Sequence, residues 1–415
     1  MLLMACIAGV LFLAAWSTIH HGFYSKQPRV DTPIYQHYAD LVRAGDVPYR
    51  DFSIEYPPGA LFAFVFPALK NSPTPGPNHV RADYRRNFEL LMSLCALASI
   101  ALAAVALRRL RASNGQAAAA LSLLGLAPLL LGPVMLSRFD LWPVMLALSG
   151  LVAILVGRER VGFGALGLAT ATKIFPGVLL PVGCIWVWKH SGRRELAICL
   201  GAFFAVLAAC FAPFLIIAPH GIWHSISVQL SRPLQIESLG AASLVALHHL
   251  FGLSISTVSG SGSENLAASG AGPIATLQTV IQAVALLATW IWFARGEASG
   301  ERLMRAGAAS VVAFVAFGKV LSPQFMIWLI PFVLLVRGRR STVTSGLLVA
   351  SLVLTQLWFP YRYREYAFHY ASWPSTFVLL RDVALVALFV TLLTGMRRRK
   401  PELPAGQPAV NQSGI

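Results

Sequence analysis

Two kinds of charged side chain stand in this sequence where they could act together: carboxylates at the edge of apolar segments and cations inside apolar surroundings. The first group lies in VDTPIYQHYADLVRAGDVPYRDFSIEYPPGALFAF, residues 30–64, where tyrosines are interleaved with the acids. Asp31 is the first carboxylate of the chain and follows the first apolar run. If the segment is helical, Tyr35 and Tyr38 lie near one face with it. Glu55 precedes Tyr56-Pro57-Pro58, whose prolines fix an extended turn ahead of a short apolar stretch. A carboxylate at a membrane surface can serve as a general base once its pKa is tuned. Asp31 and Glu55 both qualify, whereas Asp40, Asp46 and Asp51 read as ordinary carboxylates of a solvated loop.

The cations occur in Ser137-Arg138-Phe139-Asp140, in ATKIFPG around Lys173, and in the run from Gly318 to Gln324 that contains Lys319. Ionisable groups at such depth are costly, so they pair, act, or snorkel to the interface. Converging cations are what a phosphate head group requires. His224, His248, His249 and His369, with Arg232, Arg362 and Arg364, show no metal-ligand spacing and read as structural or interfacial. Cys6, Cys95, Cys184, Cys199 and Cys210 lie in apolar stretches without CxxC spacing and read as core residues. No phosphate-binding loop or dinucleotide fingerprint is present, so an activated donor would be membrane-borne or already outside.

The elements that must position these residues follow from composition. Of 415 residues, 56% are apolar and 12% charged, and mean hydropathy is +0.66. Soluble domains carry about 25% charge, so a soluble enzyme and a disordered chain are both excluded. Twelve apolar runs are expected, at about 2–19, 88–107, 115–132, 140–156, 163–175, 177–188, 196–218, 273–294, 303–318, 323–336, 342–359 and 376–395. The net charge of +16 would suggest nucleic acid in a soluble chain. Here six short basic connections, at 108–111, 158–160, 189–194, 295–305, 337–340 and 397–400, alternate with the other loops. By the positive-inside rule they are cytoplasmic, which argues against a nucleic-acid partner and puts both the N-terminus and the C-terminus inside.

Two segments break the simple pattern. Residues 163–188 are too long for one span and have positive flanks at both ends, so they must turn back near Lys173–Pro176. Residues 57–69 are too short to span and suit an interfacial or re-entrant helix within a first outer loop of about 20–87. The Ser/Gly-rich stretch 259–273 reads as a flexible outer segment, and 396–415 as a basic, disordered cytoplasmic tail. The expected fold is therefore an all-α polytopic membrane protein with one domain over residues 1–395.

In this setting, an Asp after the first span followed by the tyrosines and YPP resembles the glycosyltransferases of the GT-C-type membrane fold. More narrowly, Asp31 through YPPGALF, together with SRFD, ATKIFPGVLLP and GKVLSPQF, resembles glycosyltransferase family 87. That family includes polyprenyl-phosphate-mannose-dependent α-mannosyltransferases of actinobacterial lipoglycan synthesis in the cell envelope. The resemblance implies a hexosyltransferase of the plasma membrane, with a polyprenyl-phosphate sugar donor, a glycolipid acceptor, an extracytoplasmic site and neither metal nor cofactor. It implies Asp31 as the catalytic base. The candidates for substrate binding are Glu55, Tyr35, Tyr56, Arg138, Asp140, Lys173, Lys319 and Gln324. An arabinofuranosyl donor, and a flippase or transporter of a polyprenyl-linked sugar, are the alternatives.

Overall fold

The computed structural model describes residues 1–25, 31–69, 80–260, 262–338 and 340–396. Every apolar run expected from the sequence coincides with helix. The longer helices are α1 (Leu2–Thr18), α2 (Thr32–Ala44), α3 (Ala82–Arg109), α4 (Asn114–Leu131), α5 (Leu141–Leu155), α6 (Glu159–Thr172) and α7 (Leu180–Ile217). They continue as α8 (Pro219–Leu230), α9 (Leu239–Phe251), α10 (Ala271–Arg295), α11 (Gly300–Ala316), α12 (Met326–Leu334), α13 (Ser341–Trp358) and α14 (Ser372–Thr394). Among the described residues, six helical segments are long and apolar enough to cross a membrane: α3, α4, Phe175–Ile217, α10, α13 and α14. This is an α-helical multi-pass membrane protein.

The helices run back and forth between two ends. One end is basic. There Arg109 donates to Leu155 O, Lys189 to Gly296 O at 2.5 Å, and Arg302 and Arg305 to Met396 O and Arg337 O. Arg160 pairs with Glu195 at 2.6 Å at the same end. The Lys189–Arg194 connection is tight: the two helices that make up α7 meet within it at Gly192, whose φ of 78° and ψ of -174° are not helical. The other end holds α2, α8, α9, the segment 133–140 and the chain between α13 and α14.

Close backbone approach sets the helix pairs that lead to the second end. An added Cβ on Gly150 of α5 would stand 2.9 Å from Gly162 O of α6, and one on Gly162 would stand 2.7 Å from Gly150 O. Small residues at such crossings let van der Waals packing replace the hydrophobic effect that lipid cannot supply. Helix α6 thereby carries its C-terminus, and Lys173 after it, beside the start of α5. Lys173 itself is extended, and a 3-10 turn at Phe175–Leu179 sends the chain back into α7. This is the reversal expected near Lys173–Pro176.

Two expectations are corrected. The stretch 259–273 is not a flexible segment: Ile255–Gly260 (β1) and Ser263–Ala268 (β2) form an antiparallel pair, followed by α10. Its order comes from outside its own composition. Leu266 N donates to Leu234 O at 2.8 Å and Ile236 N to Glu264 O at 3.1 Å, so residues 234–236 extend the pair. The hairpin is a small addition to an otherwise helical fold. Asp40 is not a solvated loop acid either. It is buried at the α2–α3 junction and paired with Arg81 at 3.1 Å. Of the other calls, the tail beyond residue 396 and residues 70–79 of the first loop lie outside the described residues.

Candidate active site

Four segments meet at the second end of the bundle. Asp31 caps α2, whose packing through Tyr35 onto Phe64 (stacked, 4.5 Å) seats it against the short helix Leu61–Val65. Arg138, which is extended, and the turn at Phe139 and Asp140 form the junction into α5. Lys173 comes from the α6–α7 reversal, and Trp328 from α12. The YPPG turn is pressed onto this group: a Cβ on Gly59 would stand 2.8 Å from Ala171 O. That contact brings Tyr56 to the reversal.

Asp31 and Arg138 are ion-paired through Oδ2 and Nη1, and both are largely buried. Tyr35 donates its hydroxyl to the same Oδ2 at 3.3 Å. Lys173 Nζ lies 2.6 Å from Asp140 Oδ1, and Asp140 is fully buried. Trp328 Nε1 donates to that same oxygen at 2.5 Å, so Oδ2 of Asp140 has no partner. Aromatic faces surround the ammonium: Phe139 at 4.8 Å, Trp328 at 5.0 Å, Phe325 at 5.9 Å and Tyr56 at 6.0 Å. Trp328 is itself clamped between Phe175 (4.1 Å) and Phe325 (3.9 Å). Cation–π attraction is worth about 2 kcal/mol or more when desolvated, so the ring cage holds the cation where Asp140 alone would draw it to one side.

Electrostatically, the site is two cation–carboxylate pairs in a low-dielectric wall. Burial pushes the Arg138 guanidinium down to about 10, with Asp140 and Glu237 acting against the shift. The Tyr35 hydroxyl is pushed well up by burial, so it remains a hydrogen-bond donor at neutral pH. Two cations with partly satisfied acids, beside a carboxylate and stacked rings, can neutralise a phosphate and take a proton from a neighbouring hydroxyl.

The structure thus brings together Asp31, Tyr35, Tyr56, Arg138, Asp140 and Lys173. It leaves three of the named candidates outside the cluster. Lys319 donates to Leu230 O at 3.0 Å. Gln324 is half-buried, with an Oε1 lacking any partner. Glu55 faces away, towards Gly262, whose added Cβ would stand 3.1 Å from both carboxylate oxygens.

Residues that sequence reasoning left out also belong here. Glu237 is buried, is held by Gln235, and carries a carboxyl that burial pushes up to about 8. It is the only acid between Glu195 and Glu264, which is the signal that could have found it. Arg381 and Asp382 pair at 2.7 Å inside α14, and Arg381 donates to Glu237 O at 2.7 Å. An Arg-Asp pair in an apolar run is itself a marker. Trp328, by contrast, sits in a wholly apolar helix and looks like core. Two of the residues read as structural or interfacial make local contacts: His248 bonds Leu253 O at 2.7 Å, and Arg362 stacks on Trp373 at 4.1 Å.

Among curated proteins none matches the chain. The model of glycosyltransferase family 87 matches residues 54–323, about two thirds of the chain. The matched stretch runs from the segment ahead of YPPG through SRFD and ATKIFPG to the start of the Pro323–Phe325 turn. This chain therefore belongs to glycosyltransferase family 87 and is a membrane glycosyltransferase.

Proposed function

We propose that the protein transfers a mannosyl residue from a polyprenyl-phosphate donor to a lipid-linked glycan of the phosphatidylinositol-mannoside or lipoglycan type, with inversion. The reading includes twelve crossings of the plasma membrane, a site on the extracytoplasmic face and a cytoplasmic C-terminus. Segregation of the basic connections to the end opposite the candidate site supports that orientation. The observation that carries the chemistry is the convergence of Asp31, Arg138, Asp140 and Lys173 from three separate segments. Asp31 precedes the stretch that the family model matches, so its role rests on this geometry and on the resemblance of its segment.

In this mechanism the donor phosphate lies between Arg138 and Lys173. Its charge draws Arg138 away from Asp31 and so frees the carboxylate. The acceptor hydroxyl attacks the anomeric carbon, forming the new C–O bond as the bond to the phosphate oxygen breaks. Asp31 takes the hydroxyl proton, and the two cations receive the charge on the leaving polyprenyl phosphate. Inversion of a β-linked mannosyl phosphate gives an α-mannoside. Because the cations meet the phosphate charge, the reading assigns no metal.

Purified protein supplied with radiolabelled polyprenyl-phosphate mannose and a mannosylated glycolipid tests the proposal. Asp31→Asn keeps size and hydrogen bonding but cannot accept the proton, so turnover should fall about 10²–10⁴-fold while donor binding survives. Near-normal turnover in Asp31→Asn, with loss in Glu55→Gln, would move the base to Glu55. Transfer from polyprenyl-phospho-arabinose alone would refute the mannosyl donor.

A further inference from the structure

A second opening adjoins the cluster and has no part in the mechanism above. It is a small cleft between the outer segment and α8, lined by Tyr49, Glu55, Ile174, Phe211, Ser225 and Gln229 among others. Ile174 follows Lys173 directly. Tyr49 donates its hydroxyl to Tyr56 O at 2.6 Å, so cleft and cluster share a wall.

The cleft is a built feature. Helix α8 cannot approach the outer segment more closely: an added Cβ on Gly221 would stand 1.9 Å from Tyr49 O. Gln229 Nε2 donates to Glu55 O at 3.1 Å, and the tip of the β-hairpin backs the Glu55 carboxylate at Gly262.

Its chemistry differs from that of the cluster. The lining contains a carboxylate, a hydroxyl, an amide and a phenol, but no lysine or arginine. Arg232, which reaches Gln229 Oε1 at 3.5 Å, stands on the border between the two. A carboxylate disfavours a phosphate and accepts hydrogen bonds from vicinal hydroxyls. Helix α8 is two-sided here: Ile222, Ser225, Ile226 and Gln229 face the cleft at helical spacing, while Trp223 and Leu230 are exposed, as is Ile216 just before the helix. The exposed side offers an apolar track for a lipid chain.

We propose that this cleft is the acceptor subsite, taking a neutral terminal sugar of a glycolipid through Glu55, Ser225 and Gln229, with its lipid along Ile216 and Trp223. The assignment rests on the glycosyl-transfer reading of the adjoining cluster. Donor phosphate and acceptor sugar would then enter from opposite sides of Tyr56.

The test uses the full chain in nanodiscs and an octyl α-mannoside carrying a diazirine. Photolabel should map to residues 222–229 or 54–58, be competed by plain octyl α-mannoside, and resist farnesyl phosphate. Ser225→Trp, which fills the cleft, should abolish labelling. Glu55→Gln, the variant that leaves the packing unchanged, should weaken it roughly tenfold. Thermal stabilisation by farnesyl phosphate, dependent on Lys173, should persist in both variants. Labelling elsewhere, or labelling indifferent to Glu55→Gln and Ser225→Trp, overturns the subsite. Displacement by farnesyl phosphate overturns it too and makes the cleft part of the donor path. Absence of farnesyl-phosphate stabilisation in the wild type, with cleft labelling intact, would instead refute the donor reading of the cluster.

Discussion

The Asp140–Lys173 pair offers the sharpest quantitative test of the site. Asp140 is 0% exposed, Lys173 lies 2.6 Å away, and one carboxylate oxygen serves both Lys173 and Trp328. Asp140→Asn removes the charge but keeps an acceptor for Trp328. The ammonium is then left among ring faces with no counter-ion. Stranding one partner of a buried pair costs about 3–5 kcal/mol. The surviving Trp328 bond and the Phe139 and Trp328 faces offset part of this, which puts the expected loss near 3 kcal/mol. Lys173→Met strands Asp140 instead and should cost a similar amount. The double variant removes both charges from an apolar wall, where such replacement is often neutral, so its loss should stay below about 1 kcal/mol. The double-mutant cycle should therefore return several kcal/mol of coupling. Equilibrium unfolding in mixed micelles, followed by tryptophan fluorescence, measures it. Farnesyl phosphate should stabilise Asp140→Asn more than wild type, because the ligand replaces the missing anion. Additive losses in the double variant would refute the Asp140–Lys173 coupling, and equal stabilisation of both proteins would refute the placing of the donor phosphate against Lys173.

Three further expectations follow from the same geometry. Arg138→Lys keeps the charge but loses the planar fork, and should raise donor KM about tenfold with a smaller change in kcat, read from initial rates. Glu237 is protonated up to about pH 8 when folded but ionises near 4.5 when unfolded. Between those values the unfolded chain binds fewer protons, so stability falls as pH rises through that window and levels off above it; Glu237→Gln should flatten that slope in unfolding midpoints. Gly59→Ala places a methyl 2.8 Å from Ala171 O, and should cost about 1–3 kcal/mol and slow turnover by displacing Tyr56, measured by unfolding and by transfer assay.

Much of this site was legible because membrane burial makes ionisable residues conspicuous. Arg138, Asp140 and Lys173 stand out against apolar neighbours, and their segments share one side of the charge pattern. Which cation meets which acid was not legible. That depends on side-chain reach across helix crossings set by Gly150 and Gly162, whose spacing says nothing about depth. Lys319 shows the limit: it occupies an equivalent place in the pattern, yet its ammonium donates to Leu230 O rather than to an acid of the cluster. The β-hairpin was missed because Ser and Gly dominate its local composition, while the backbone partners that order it lie some thirty residues upstream, at Leu234 and Ile236. The ring cage was missed because Phe325 and Trp328 carry no sequence signal that separates a cage from a core.

The arrangement of charge explains why two carboxylates so close in sequence need not compete for one role. Asp31 and Glu55 both border apolar segments and both qualify as a base by residue type, while the family resemblance points to Asp31. In the fold, Asp31 is paired with Arg138, and in the proposed mechanism it acts once the donor phosphate has drawn the guanidinium away. Glu55 lies on the far side of Tyr56, backed by the hairpin tip and tied through its backbone to Gln229. An acid paired with a guanidinium is occupied, so it suits a proton acceptor that must wait for its donor substrate. An acid in a cleft lined without cations is available from the start, so it suits holding a neutral sugar in place. Loss of the first should therefore appear in the rate of transfer, and loss of the second in the concentration of acceptor that transfer requires.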